Sequence, residues 1–176
     1  ADTSNHAIRK VVIATGVISN FAGTPGSGNS GSTDATGVLA SFRNPGAIAA
    51  EGTTNLYVSD TGNHTIRKIV IAGGGVVTTH AGTVGVPGTS ADGAVGTAAS
   101  FRSPNQLVVN ATNLFVADTG NNTIRQIGLV SQAVTTIAGS AGLSGGTDAL
   151  GTASRFNSPT GIGSTAGGTL YIADTT

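Results

Sequence analysis

Asp60-Thr61-Gly62-Asn63-His64-Thr65-Ile66-Arg67-Lys68 returns as Asp118-Thr119-Gly120-Asn121-Asn122-Thr123-Ile124-Arg125-Gln126, and earlier as Asp2-Thr3-Ser4-Asn5-His6-Ala7-Ile8-Arg9-Lys10. The spacing is about 58 residues, and self-similarity at a fixed period decides the fold before any single element does. Outward from these nine residues the landmarks keep one order. Ala22-Gly23-Thr24, Ala81-Gly82-Thr83 and Ala138-Gly139-Ser140 come next. Phe42-Arg43-Asn44-Pro45, Phe101-Arg102-Ser103-Pro104 and Phe156-Asn157-Ser158-Pro159 follow, and Asp174-Thr175-Thr176 opens a fourth copy.

Within one period, short β-branched and aromatic runs bounded by Gly, Pro, Asn and Asp predict four strands. In the best-defined copy these are Gly46 to Ala50, Leu56 to Ser59, Thr65 to Ile71 and Val76 to Ala81, with the loop Gly82 to Ser103 leading onward. Asp-Thr-Gly-Asn carries turn chemistry, Gly for a positive φ and Asp or Asn for bonding back to the backbone, so it predicts a hairpin. Leu56-Tyr57-Val58, Leu114-Phe115-Val116 and Leu170-Tyr171-Ile172 are unbroken apolar runs. Such runs suit strands covered on both faces, as in blades stacked on blades. The expected fold is all-β, a β-propeller with three blade-equivalents. It divides at 1–45 (last two strands of a shared blade plus loop), 46–104 and 105–159 (full blades) and 160–176 (first two strands of a shared blade).

Composition agrees. Of 176 residues 28 are Gly and 38% are apolar, which allows a core but disfavours long helices. Eight basic and eight acidic side chains cancel, so the positive field that recruits nucleic acid or an anionic membrane is missing, and neither partner is expected. There is no Cys, hence no disulfide framework, and the low charge with abundant Thr, Asn and Gly leans towards a secreted bacterial protein.

A Pro, in one copy as Pro-x-Gly, before a short strand, Leu-Tyr-Val-x-Asp-Thr-Gly-Asn-His-x-Ile-Arg-Lys and a closing Val-x-Thr-x-Ala-Gly together resemble the NHL repeat, over nearly the whole chain. The family's Asn-His-Leu triplet reads Asn5-His6-Ala7, Asn63-His64-Thr65 and Asn121-Asn122-Thr123 here, so Asn is kept, Leu is absent and the third copy also lacks the His. The resemblance implies a propeller, often six-bladed, serving as a protein-binding or RNA-binding module. Related propellers include lactonases and a peptide-amidating lyase, and fold alone does not choose among them.

Three blades are too few to close a ring of roughly four to eight. Two-stranded fragments at both ends would expose strand edges that pair readily with another chain. The expectation is half of a six-bladed ring completed by a second copy, an obligate homodimer burying roughly 2,000 to 5,000 Å². Because Ala1-Asp2-Thr3 and Ala173-Asp174-Thr175 are equivalent, one terminus at each junction should fray. The rival expectation is that the sequence is half of a longer chain.

Asp2 with Arg9, Asp60 with Arg67 and Asp118 with Arg125 keep one spacing across the hairpin and predict a structural ion pair in every blade, with Asp174 awaiting Arg9 of another copy. Asp34, Asp92 and Asp148 recur in the long loop. One carboxylate per loop is too few for calcium, so a loop-stabilising hydrogen bond is expected. Phe42, Phe101 and Phe156 read as plugs between blades. Departures from the repeat are the functional leads. Glu51 is the lone Glu, at the end of the strand expected to line the channel. His80 stands where Phe21 and Ile137 stand in the other copies, and Asn105 and Gln106 are polar on the channel strand. These four are the ligand-binding candidates.

No catalytic constellation, metal-ligand set or cofactor motif is visible, so neither metal nor cofactor is expected. The Gly-rich Gly26-Ser27-Gly28-Asn29-Ser30-Gly31 lacks the Lys and helix of a phosphate site. A non-enzymatic binding or scaffolding module for a protein or carbohydrate ligand is the leading expectation. A propeller hydrolase or lyase with a channel metal, and a self-assembling building block without ligand, are the alternatives.

Overall fold

A computed structural model describes residues 1–175. It contains twelve strands in four antiparallel sheets. The first half-blade pairs β1 (Ile8–Val12) with β2 (Val17–Ala22). Two full blades follow. One has β3 (Pro45–Glu51), β4 (Asn55–Asp60), β5 (Thr65–Val70) and β6 (Val76–Ala81), the next β7 (Pro104–Val109), β8 (Asn113–Asp118), β9 (Thr123–Gly128) and β10 (Val134–Gly139). The last half-blade is β11 (Pro159–Ser164) with β12 (Leu170–Asp174). Every blade is a meander of sequence neighbours. β3 lies beside β7 and β7 beside β11, so the first strand of each blade is the inner one and the blades fan out around them. The chain is an all-β partial propeller of about three blades.

The core lies between blades, which is why the second strands read as continuous apolar runs. Ile8 and Phe42 meet Val58, Ile69 and Val77 between the first half-blade and the first full blade. Tyr57 and Ile66 meet Leu107, Leu114 and Ile127 between the two full blades. Ala117 and Ile124 meet Ile162 beyond them, with Phe156 half-buried alongside. Phe42 and Phe101 are wholly buried plugs.

The hairpin forms with a different division of labour from the one the sequence suggests. Thr61–Asn63 and Thr119–Asn121 are single 3-10 turns, and the left-handed residue is the following His64 (φ 61°) or Asn122 (φ 57°), not the Gly. Gly62 is needed for space, since a Cβ there would stand 2.7 Å from the Arg43 carbonyl oxygen, which the Gly62 N–H itself engages at 2.8 Å. The His has a bonding role. His6 and His64 Nδ1 accept the N–H groups of Asn44 and Ser103 at 3.0 and 3.1 Å, and in the third copy Asn122 Oδ1 accepts that of Ser158 at 2.9 Å. Each such bond ties one blade to the residue before the next blade's Pro. An amide oxygen substitutes for a ring nitrogen at this geometry, so Asn122 preserves the motif's chemistry. Thr3, Thr61 and Thr119 add a second tie, each hydroxyl donating to the following Pro carbonyl at 2.6 to 2.9 Å.

Candidate functional site

The repeated charges are consumed by the scaffold. Arg67, fully buried, donates to Asp60 at 2.8 Å and to Asp34 at 2.6 Å, and also to the Ser41 and Thr33 carbonyls. Its guanidinium lies 5.2 Å from the centre of the Phe42 ring. Asp34 further accepts from the Thr79 N–H at 3.0 Å, so the loop aspartate is a strap holding the inter-blade loop to β5 and β6. Asp60 accepts the Arg43 N–H at 2.7 Å and the Asn63 amide at 2.8 Å. The second full blade repeats this more loosely, Arg125 standing 3.7 Å from Asp118 and 3.8 Å from Asp92. Burial raises the carboxyl pKa of both Asp60 and Asp118, the latter to about 7, against the lowering effect of their hydrogen bonds and the arginine. Asp2 and Arg9 meet at 3.3 Å with both side chains about one-third exposed.

The departures from the repeat separate into two places. Glu51 and His80 come together through Tyr57 at the junction of the two full blades, where Tyr57 and His80 are buried and Glu51 is partly exposed. The β3–β4 turn carries Glu51 back over its own hairpin, where one carboxylate oxygen accepts from the Asn55 amide at 2.7 Å and the Tyr57 hydroxyl at 3.2 Å. The Tyr57 ring meets the His80 ring edge-on at 5.0 Å, with the Lys68 ammonium 5.9 Å from the tyrosine ring centre. Gln132, from the turn before β10, reaches His80 Nδ1 at 3.4 Å, while the buried Nε2 has no partner among the described residues. Burial, assisted by Lys68, pushes His80 down to about 4 and keeps it neutral. Burial and the neighbouring Glu51 carboxylate push Tyr57 up to about 12. The result is a buried neutral imidazole and a buried protonated phenol, the phenol donating to the partly exposed Glu51 side chain.

Asn105 and Gln106 lie elsewhere, on β7. Asn105 faces Gly46 of β3, its Oδ1 3.2 Å from where a Cβ on that glycine would sit. Gln106, exposed, accepts the Ile162 N–H of β11 at 3.3 Å. They bridge the inner strands on both sides. Sequence reasoning overlooked Tyr57, Lys68 and Gln132, because Tyr57 and Lys68 follow the repeat and Gln132 sits in a turn. The legible signal was spacing, since Glu51 lies six residues from Tyr57 across a hairpin. Among the described residues no group of three or more His, Asp or Glu side chains is placed to hold a metal ion.

A cleft of about 450 Å³ opens between the first half-blade and the first full blade. It is lined by Ile8, Lys10 and Phe21 on one side and Ile48, Leu56 and Ile71 on the other.

No family model matches the chain. A 96-residue stretch, 54% of the chain, is 33% identical to NHL repeat-containing protein 2 of Bos taurus and covers 12% of that protein. Among solved structures, auxiliary nutrient binding proteins of Bacteroides thetaiotaomicron and Bacteroides ovatus superpose with TM-scores of 0.74 and 0.73 at 20% and 24% identity. They cover 98% and 99% of this chain, which spans only 41% and 42% of theirs. Another Bacteroides thetaiotaomicron structure, described as a candidate phosphatase, gives 0.59 at 19% identity over 74% of this chain and 32% of its own. At these identities the structures attest to the fold alone. The repeat motif and the matched stretch resemble NHL-repeat proteins, and the architecture is that of a β-propeller with about three blades in the chain.

Proposed function

We propose that the chain is a non-enzymatic binding or scaffolding module whose half-blades pair with those of a second copy to give a six-bladed ring. The observation that carries the binding reading is the Glu51–Tyr57–His80 cluster, in which Glu51 is the partly exposed member. Glu51 and His80 depart from the repeat, the partly exposed Glu51 side chain offers an acceptor, and burial keeps Tyr57 protonated and His80 neutral, which suits recognition of hydroxyl-rich or amide-rich ligands over proton transfer. Proteins described as nutrient-binding share this fold, so the fold is compatible with it. A panel of oligosaccharides and peptides screened by titration calorimetry tests it directly. A ligand whose affinity falls at least tenfold in Glu51→Gln supports the reading, and turnover of any panel member would replace it with the hydrolase or lyase alternative, which the candidate phosphatase neighbour favours.

The ring reading is supported by β1 and β12, each of which, among the described residues, pairs along one edge, whereas β4 and β5 of the full blade pair along both. Native mass spectrometry of the chain tests it, with a dimer as the expected species and a monomer at micromolar concentration as the contrary result.

A further inference from the structure

We infer that the cleft between the first half-blade and the first full blade is the seat of Tyr171 from a second copy, entered as β12 of that copy pairs antiparallel with β1 in the register Tyr171 opposite Lys10. The inference rests on the two-copy ring proposed above and specifies its contact. Internal symmetry carries it. Tyr57 is the residue of β4 opposite Lys68 of β5, and its ring sits against His80, with Leu107 and Leu114 in the same inter-blade cluster. One repeat earlier those four positions are Lys10, Phe21, Ile48 and Leu56, and these residues line the open cleft. The position of Tyr57 in the half-blade at the other end is Tyr171, whose side chain stands 66% exposed while Tyr57 is 1% exposed. An unoccupied aromatic seat and an unseated tyrosine of the same repeat position thus lie on the two open edges of one molecule.

The charges match as well. Arg67 is held by Asp60 of its own blade and by Asp34 of the preceding loop. The equivalents for Arg9 would be Asp174 and Asp148, neither of which reaches an arginine among the described residues. Asp174 is already poised, accepting the Asn157 N–H at 2.7 Å as Asp60 accepts that of Arg43. On docking, Asp174 takes the place of Asp2, which now bridges to Ala7 and Arg9 from a partly exposed position. Burying Tyr171 also covers Ile48 and Leu56, and two such junctions related by a two-fold axis leave neither edge open.

The chain has no cysteine, so introduced pairs report cleanly. Lys10→Cys with Tyr171→Cys in one chain, mildly oxidised, should give covalent dimers linked between copies. Val11→Cys with Tyr171→Cys should not, because adjacent strand residues point to opposite faces. In the cysteine-free protein Tyr171→Ala should weaken the dimer at least tenfold, with Tyr171→Phe within twofold of the parent. A dimer that links through Val11 but not Lys10, or that is indifferent to Tyr171→Ala, overturns the seat and its register while leaving the two-copy ring standing. A monomeric parent overturns both.

Discussion

β1–β2 and β5–β6 are the same hairpin in two surroundings. Val11 and Ile18 are 55% and 60% exposed, whereas Ile69 and Val77 at the same repeat positions are 0% and 1% exposed. Arg9 holds one aspartate at 3.3 Å near the surface, whereas Arg67 holds two and is wholly buried. The hairpin and the Asp–Arg pair therefore form in both surroundings, and the burial of the pair is conferred by the neighbouring strand and loop. An ion pair open to water contributes little, while one that is sealed becomes costly to break.

Breaking the two arginines separates these cases most widely. Arg67→Ala leaves Asp34 and Asp60 facing each other with no cation, one of them inside the core, and should cost about 3–5 kcal/mol by urea unfolding. Arg9→Ala should cost under about 1 kcal/mol in dilute protein, where the pair is exposed. If two copies close on Arg9, its penalty grows with protein concentration while that of Arg67 does not, because only the former is linked to association. Equal, concentration-independent losses would show that the first half-blade is never sealed.

A steric contrast comes next. Gly62 and Gly120 back onto the Arg43 and Arg102 carbonyl oxygens, a Cβ at either being 2.7 Å from that oxygen, yet the first copy has Ser4 at this position. Gly62→Ser should destabilise by about 1–3 kcal/mol through overpacking, and Ser4→Gly should change stability by less than about 0.5 kcal/mol. A harmless Gly62→Ser would mean the carbonyl contact yields easily.

Two buried titrating groups sharpen the comparison of the full blades, with opposite signs. His80 has its pKa depressed to about 4, so it favours the fold above its unfolded value of 6.5 and that contribution is lost as pH falls towards 4. His80→Phe, the residue found at position 21, should therefore flatten the loss of stability between pH 6.5 and 4, by roughly 3 kcal/mol at the acid end. Asp118 has its pKa raised to about 7, so its contribution is greatest below 3.8 and is lost as pH rises through 7. Asp118→Asn should remove that decline. Chemical denaturation at pH 4, 5.5 and 7 reads both, and parallel curves for parent and variants would refute both assignments.

How much of this was legible depended on whether a feature repeats. The Asp–Arg pairs, the Phe plugs and the four-strand period show in three copies and point to a propeller without reference to coordinates. The Asp34 strap was expected as a loop hydrogen bond, but its reach to Arg67 spans 33 residues, from the inter-blade loop to the third strand of the following blade, a contact that no local spacing encodes. The turn was misassigned to glycine flexibility because composition cannot tell a positive φ from a close approach. Glu51 and His80 were visible as departures. Their meeting through Tyr57 was not, since it depends on which face of β4 looks at the next blade.

The smallest expected effect addresses the motif itself. His64 and Asn122 occupy one repeat position with the same left-handed backbone, and each accepts the N–H that precedes the next blade's Pro at 3.1 and 2.9 Å. If acceptance is all the position requires, Asn122→His should alter stability by less than about 0.5 kcal/mol at pH 8, where a ring nitrogen is free to accept. Burial and the cations Arg43 and Arg102 lower the pKa of His64, so its neutral form is the one the fold holds, and that advantage is lost as pH drops below 6.5. The new histidine would face Asn157 where His64 faces Arg102. With one cation fewer it should lose less stability on acidification than the His64 site does, which the reciprocal His64→Asn measures. A variant that is destabilised already at pH 8 would show that the ring's shape, and not its lone pair, is what the third copy gave up.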